Sequence, residues 1–513
     1  MDNSDTISPR DAAWREQLRK SHTAKERMAI PRVKMTELDP AYRVTCNDEV
    51  NQGLSEGQAI LEATRCLDCP DPQCVTGCPV GINIPGFIKN IEREDFTEAA
   101  AVLNETSALP AVCGRVCPQE RQCESKCIYN KTKRPPVAIG YLERFAADFA
   151  REAARNASSP LPSHDPIAAP TDFRSDADDS TLPARAAANG IKIAVVGSGP
   201  ASLSFAGDMA RKGYSVHVFE ALHEIGGVLK YGIPEFRLPN EIVDAEIEQL
   251  RAAGVEFTVD CVIGKTLSYD DLLNQGFKGV FVASGAGLPR FMGIPGENYI
   301  SVMSSNEYLT RVNLMGAGRP GWATPVIRGK KVAVIGGGNT AMDSCRTARR
   351  MGADEVYIVY RRSETEMPAR VEEVRHAKEE GVKFLTLHNP IEYLADDNGR
   401  VRAMRLQQME LGEPDASGRR SPVPVEGAVT EVEVDEVIVS IGVSPNPLIP
   451  DSIDGLDVTR RGTLVVNDDT LQTTIPTIFA GGDIVRGGAT VILAMGDGRR
   501  AAAAMDRKLS AKE

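Results

Sequence analysis

The chain is 513 residues long, carries a net charge of −12, and is 42% hydrophobic and 25% charged. That length exceeds a single hydrophobic core, so two to four domains of ordinary globular composition are expected. The acidic balance argues against nucleic acid as a partner, and no apolar run reaches the roughly 18 residues needed to cross a bilayer.

The first residues, Met1-Asp-Asn-Ser-Asp, lack the basic and apolar regions of a secretion signal, so a reducing, cytoplasmic setting is expected. Residues 1–40 mix basic and acidic side chains and read as an extended or partly ordered N-terminal arm. From 41 to 154, helical patterns over 53–65, 84–104 and 139–154 alternate with cysteine-bearing loops, the last pattern aligning Ile139, Leu142, Phe145 and Phe149.

Eight of the 11 cysteines lie in this small helical domain, as Cys66-x2-Cys69-x4-Cys74-x3-Cys78-Pro and Cys113-x3-Cys117-Pro-x4-Cys123-x3-Cys127. Each quartet supplies enough soft thiolates for one iron–sulfur cluster, and short spacings bring them together at low loop-closure cost. Clustered cysteines in a reducing compartment read as metal ligands rather than a disulfide framework. Two colourless zinc sites, or eight structural thiols, are the alternatives. Residues 155–188, rich in Ala, Ser, Pro and Asp and without periodicity, read as a linker.

Beyond 189 the texture changes to strand, glycine turn, helix, strand. Strands are expected over 191–196, 215–220, 255–260, 279–283, 331–335, 356–361, 382–387, 434–441 and 477–480, the alternation of doubly wound α/β domains. Ile193-Ala-Val-Val-Gly-Ser-Gly-Pro-Ala-Ser202 is echoed by Val332-Ala-Val-Ile-Gly-Gly-Gly-Asn-Thr-Ala341, which implies two Rossmann-like dinucleotide-binding domains.

In the first, Gly197 permits the tight turn and Gly199 lets a pyrophosphate approach a helix N-terminus that begins Pro200-Ala201-Ser202. Glu220 ends the next strand, where a carboxylate can accept hydrogen bonds from a ribose diol. In the second, Gly336, Gly338, Asn339, Thr340 and Ala341 form the turn, but the following strand ends in Arg361-Arg362. Guanidinium groups there suit a 2′-phosphate, which a carboxylate repels. The first site is therefore expected to hold FAD and the second NADPH; the plain alternative for the two arginines is a solvated strand end.

The cysteine runs, together with Ile84-Pro-Gly-Phe, Cys113-Gly-Arg-Val-Cys117-Pro-Gln, Gly226-Gly-Val-Leu-Lys-Tyr-Gly-Ile-Pro-Glu-Phe-Arg-Leu-Pro239 and Ala480-Gly-Gly-Asp483, resemble the small (β) subunit of NADPH-dependent glutamate synthase. Relatives of that family are similar too: the large subunit of NADH-dependent ferredoxin:NADP oxidoreductase, sulfide dehydrogenase, and the N-terminal part of dihydropyrimidine dehydrogenase. The resemblance implies an α/β architecture with an N-terminal helical domain holding two [4Fe–4S] clusters. An FAD domain (189–325 and 445–513) interrupted by an NADPH domain (326–444) then follows. It also implies interleaved ligation, one cluster on Cys66, Cys69, Cys74 and Cys127 and the other on Cys78, Cys113, Cys117 and Cys123. Gly227 and Leu229 are implied along the FAD, Gly482 and Asp483 at its ribityl or pyrophosphate portion, and Ala489-Thr490-Val491 at a helix start facing the flavin ring. Asp483 as a simple loop residue is the alternative. Gly285 and Gly442 resemble domain-crossing loops beside the cofactors.

The expected activity is NADPH-dependent electron transfer borne by the cofactors, without a catalytic side chain. Only Cys345 lies in the nicotinamide domain, so exit through a redox disulfide is not expected. Cys345, Cys261 and Cys46 read as unligated thiols and the six histidines as structural or solvated. The chain contains no amidotransferase or FMN barrel, so an electron-accepting partner subunit and a hetero-oligomer are implied. Glutamate synthesis is the leading reading. An electron-bifurcating or sulfide dehydrogenase type with a ferredoxin-reductase-like partner, and a non-catalytic iron–sulfur scaffold, are the others.

Overall fold

The computed structural model describes residues 7–158, 186–416 and 418–511. Residues 159–185, most of the expected linker, lie outside the described residues; 155–158 continue the helix Ile139–Ser158.

Of the two expectations for the N-terminal segment, extended or partly ordered, residues 13–29 show order. Helices Ala13–Ser21 and Ala24–Ala29 form, and their arginines reach the cysteine domain. Arg15 makes a two-pronged contact to buried Asp68 (3.1 and 2.6 Å), Arg27 pairs with Glu92 at 2.8 Å, and Arg32 with Glu124 at 2.8 Å. Arg15, Arg27 and Arg32, charges that resemble a solvated arm, pair with acids 53 or more residues away.

The cysteine domain is built from helices Glu56–Thr64, Ile84–Glu92, Phe96–Asn104, Pro110–Val116 and Ile139–Ser158, with the cysteines in and between them. The single helix expected over 84–104 is two. Glu94 adopts a left-handed φ of 66°, and Asp95 caps the second helix by accepting from the Glu98 N–H at 3.1 Å. A local cap thus wins over continuous apolar spacing.

Two five-stranded parallel sheets follow. The first runs in the order Ile478–Ala480, Phe277–Val282, Lys192–Val196, Ser215–Phe219, Glu256–Thr258. The second runs Val302–Ser304, Glu436–Val439, Lys331–Ile335, Glu355–Tyr360, Lys383–Thr386. The chain leaves the first sheet after Val282 and returns to it at Ile478, so the second α/β unit is inserted into the first. A three-stranded antiparallel sheet, His388–Ala395, Val401–Pro414 and Arg420–Glu433, had no counterpart among the expected strands. Its outer strand carries Pro422 and Pro424, which sequence patterning reads as strand-breaking but an edge strand accepts.

One hydrophobic core joins the cysteine domain to the first sheet, with Leu103 and Val112 contiguous with Leu203, Met209 and Met495. The inserted unit is tied on by buried ion pairs. Arg237 contacts Asp343 at 2.6 Å, and Arg43 contacts Glu380 at 2.8 Å. These ties fix the two glycine turns relative to each other.

Candidate active site and cysteine quartets

Both glycine turns open into one cleft of about 2450 Å³, more than twice the roughly 1000 Å³ at the upper end for a single small-ligand pocket. The turns are built alike. The Gly197 N–H donates to Phe219 O at 2.8 Å and the Gly336 N–H to Val359 O at 2.9 Å, each a carbonyl of the neighbouring strand. Both glycines have positive φ (92° and 143°), and a Cβ would stand 2.6 Å from Ala283 O and 2.2 Å from Ser440 O respectively. Only glycine fits at either place.

At the first turn, nothing lies within 4 Å of a Cβ on Gly199, the residue capping helix Pro200–Arg211, so space stands before the helix's positive end. Glu220 accepts from the Ser198 N–H (2.9 Å) and hydroxyl (2.5 Å) with one oxygen, and from the Leu222 N–H (2.9 Å) with the other. It therefore shapes the turn as well as facing the cleft. Gly197, Gly199, Pro200, Ala201, Gly227, Gly482, Asp483, Ala489, Thr490 and Val491 line the cleft together. Ser202 and Leu229 do not. Leu229 is fully buried in the core, because the turn Val228–Tyr231 points Val228 and Tyr231 to the cleft instead. Burial pushes the Asp483 carboxyl up to about 6, helped by the negative charge of Asp497, and pushes the Tyr231 hydroxyl up to about 12, helped by Asp483 and Glu220.

Sequence reading missed the support beneath this wall. Buried Asp497 accepts from the Gly482 N–H at 3.0 Å, from Arg486 twice at 2.6 Å and from Arg500 at 2.7 Å. The available signal was an acid inside an alanine- and glycine-rich helix.

At the second turn, Gly336, Gly338, Asn339, Thr340, Arg361 and Arg362 face the cleft, and Ala341 packs behind it. The two arginines differ. Arg362 is held by the antiparallel sheet, donating to Arg420 O at 2.8 Å and pairing with Asp415 at 2.6 Å. Arg361 is exposed and makes no hydrogen bond or ion pair among the described residues. Arg121 of the cysteine domain donates to the carbonyls of Met367, Pro368 and Ala369, the loop beside this turn.

The cysteines gather into two groups that cross the sequence runs. Cys66, Cys69, Cys74 and Cys127 line a cavity of about 60 Å³. Cys78, Cys113, Cys117 and Cys123 are one another's electrostatic neighbours. Burial pushes the thiols of Cys66 and Cys78 up to about 11, so ionising such a group needs cationic charge in its midst. Among the described residues, Glu37, Glu372 and His376 are the one group of three candidate ligands within 4.8 Å of one another. No three cysteine sulfurs among the described residues therefore lie within 4.8 Å of one another, whereas thiolates on one tetrahedral zinc with 2.3 Å bonds stand about 3.8 Å apart. A multi-iron cluster fits that wider spacing.

The C-terminal helix Val491–Ser510 joins cleft and quartet. It starts at the cleft wall, where Thr490 caps it by accepting from the Leu493 N–H. One turn on, Met495 Sδ lies 3.4 Å from Cys113 Sγ, and a Cβ on Gly496 would stand 2.9 Å from Pro79 O. The quartet of Cys78, Cys113, Cys117 and Cys123 is thus the one next to the cleft.

Beside that quartet, burial pushes Glu143 and Glu246 up to about 8, each fully enclosed. A carboxyl raised in the fold stabilises it below the ordinary carboxylate range and loses that contribution as pH rises through about 8. The melting temperature is expected to fall between about pH 5 and 8 and to level off above that, and Glu143→Gln is expected to flatten that fall in a thermal-shift series over the same range.

Two parallel sheets sharing a cleft through paired glycine turns, beside two thiolate quartets, define a dinucleotide-dependent oxidoreductase with an iron–sulfur domain. Residues 43–155 match the family described as dihydropyrimidine dehydrogenase domain II, 4Fe-4S cluster, and residues 191–498 match pyridine nucleotide-disulphide oxidoreductase. The chain is 36% identical to the glutamate synthase [NADPH] small chain of Escherichia coli over 88% of its own length and 92% of that protein. It is 38% identical to the NADP(+)-dependent formate dehydrogenase subunit beta of Moorella thermoacetica over 85% of its length, spanning 60% of that longer protein. FprA of Mycobacterium tuberculosis, solved in complex with NADPH, shares the fold over 62% of this chain and 84% of that one (TM-score 0.52, 20% identity). The chain belongs to the pyridine nucleotide-disulphide oxidoreductase family, among the glutamate synthase small chains and their relatives. Its cofactors are FAD, NADPH and [4Fe–4S] iron–sulfur. No helix among the described residues is long and apolar enough to cross a membrane.

Proposed function

We propose that this chain is the NADPH-oxidising subunit of a glutamate synthase, acting in the cytoplasm and passing electrons from the cleft through two clusters to a larger partner subunit. The observation that carries this is the C-terminal helix, which begins at the cleft and places Met495 against Cys113. Bound flavin supplies the hydride acceptor and the change from two-electron to one-electron chemistry. The residues have distinct tasks. Gly197 and Gly199 admit a pyrophosphate to a helix N-terminus, Glu220 holds the turn, and Asp497 fixes Gly482 and Arg486 in the wall. Gly336 and Gly338 admit the second dinucleotide, and Arg361 meets its 2′-phosphate. The quartets of Cys78, Cys113, Cys117 and Cys123, then of Cys66, Cys69, Cys74 and Cys127, hold the clusters in that order outward. Support for the glutamate synthase role over the formate dehydrogenase type is length: the chain covers 92% of the one relative and 60% of the other.

Arg361→Ala is expected to raise KM for NADPH about tenfold to a hundredfold by removing a charge-assisted contact, leaving KM for NADH unchanged. Steady-state kinetics with both nucleotides tests it. For the role itself, the tagged chain is recovered anaerobically from its own cells with any stoichiometric partner. NADPH oxidation that requires both glutamine and 2-oxoglutarate supports the proposal. A formate-oxidising or ferredoxin-reductase-like partner overturns it.

A further inference from the structure

We infer that the surface over the outer quartet is a docking face for an acidic, one-electron-accepting protein domain. This rests on the reading of the cysteine domain as the electron exit. The cavity of Cys66, Cys69, Cys74 and Cys127 is rimmed by Lys126, Ile128 and Lys131. The stretch 126–134, Lys-Cys-Ile-Tyr-Asn-Lys-Thr-Lys-Arg, carries four basic residues and no acid, within a chain whose net charge is −12.

All four basic residues are exposed, and so is Ile128, at 39%. Among the described residues Lys126, Lys131 and Lys133 have no carboxylate partner, whereas Arg15 pairs with Asp68, Arg27 with Glu92 and Arg32 with Glu124. Arg134 donates to Met28 O, which fixes the strip against the N-terminal segment. Lys133 also sits in the left-handed region (φ 56°), an unfavourable place for a lysine backbone that ends the turn Ile128–Thr132. The one acid on the rim is Asp71. Unpaired Lys126 and Lys131 and exposed Ile128 share the rim of the thiol cavity, a basic edge with an apolar contact. Such an edge steers an oppositely charged partner and seats it beside the thiols. Charge complementarity selects carboxylates on that partner.

The test uses the loaded full chain, NADPH, and two forms of one acceptor: native cytochrome c, which is basic, and succinylated cytochrome c, whose lysines carry carboxylates. Each NADPH oxidised to NADP+ releases one proton and reduces two ferric haems to ferrous. At low salt the wild type is expected to show a KM about tenfold or more lower for the succinylated form, a preference that fades as salt screens it. Lys131→Glu with Lys133→Glu is expected to reverse that order, and Lys131→Gln with Lys133→Gln to remove it, while NADPH bleaches the flavin at the wild-type rate in both. Unchanged preference in the variants, or wild-type preference for native cytochrome c, overturns the docking face and leaves the proposed function standing. Failure of NADPH to bleach the wild-type flavin overturns the proposed function first. Should the glutamate pair split a homo-oligomer in light scattering, a second copy of this chain occupies the face and the acidic partner is wrong.

Discussion

Replacing Glu380 by glutamine is expected to loosen the attachment of the inserted unit by about 3–5 kcal/mol, the range for removing one partner of a buried ion pair. Glu380 is buried at the end of helix Val371–Glu379 and receives three guanidinium groups: Arg43 at 2.8 Å, Arg346 at 2.8 Å and Arg350 at 2.8 Å. Burial alone would push its carboxyl up, but Arg346 and then Arg350 outweigh burial and hold it at about 2. An amide in its place leaves those cations short of compensation, and Arg43 is the link to the N-terminal segment. Hydrogen exchange over residues 38–50 and 371–380 should therefore accelerate in the variant at neutral pH. Because the folded carboxyl is depressed, its contribution is present above about 4.3 and fades as pH falls through about 2. The gap between variant and wild type is expected to close over that acid range and to stay constant above it. Unchanged exchange at neutral pH would mean that the two units are held by something other than this network.

Gly336→Ala is expected to destroy the second nucleotide site. A methyl group there meets Ser440 O at 2.2 Å, and that residue cannot retreat because the Ser440 N–H donates to Ile335 O at 2.8 Å within the same sheet. Positive φ adds a strain that alanine does not relieve. Together these cost about 3 kcal/mol or more locally. NADPH should no longer bleach the flavin, while dithionite should still do so, because the first turn is untouched. Retained NADPH reduction at the wild-type rate would show that the second turn does not carry the nucleotide. Gly338→Ala is the milder comparison, since its Cβ has only Pro368 in reach, at 4.0 Å.

Glycine turns and cysteine runs were legible in the sequence because their requirements are local. Gly197 and Gly336 answer to a backbone angle and one neighbouring carbonyl, and four thiols per run announce themselves by spacing. Crossing of the quartets was not readable from spacing alone; it came from the family resemblance. What stayed hidden depends on distant partners. Arg43 and Glu380 are 337 residues apart, so neither reads as more than surface charge. Arg15 and Asp68 hid in the same way, which made an ordered segment look like an arm. Asp497 acts on Gly482 and Arg486 across a helix start that no pattern marks. Leu229 sits beside the right residues, but a single helical turn sends it into the core and its neighbours Val228 and Tyr231 to the cleft. The antiparallel sheet escaped because Pro422 and Pro424 are tolerated only at an edge, and edge position is a property of the assembled sheet.

The central claim is that electrons entering from NADPH leave through the cysteine domain, and rapid mixing of the Cys117→Ser chain with NADPH and cytochrome c under anaerobic conditions tests it most directly. Cys117 belongs to the quartet beside the cleft, so the account predicts flavin bleaching at the wild-type rate together with loss of haem reduction and of about half the iron. Haem reduction that keeps pace with the wild type in a chain lacking that iron would contradict it and place the exit at the flavin itself.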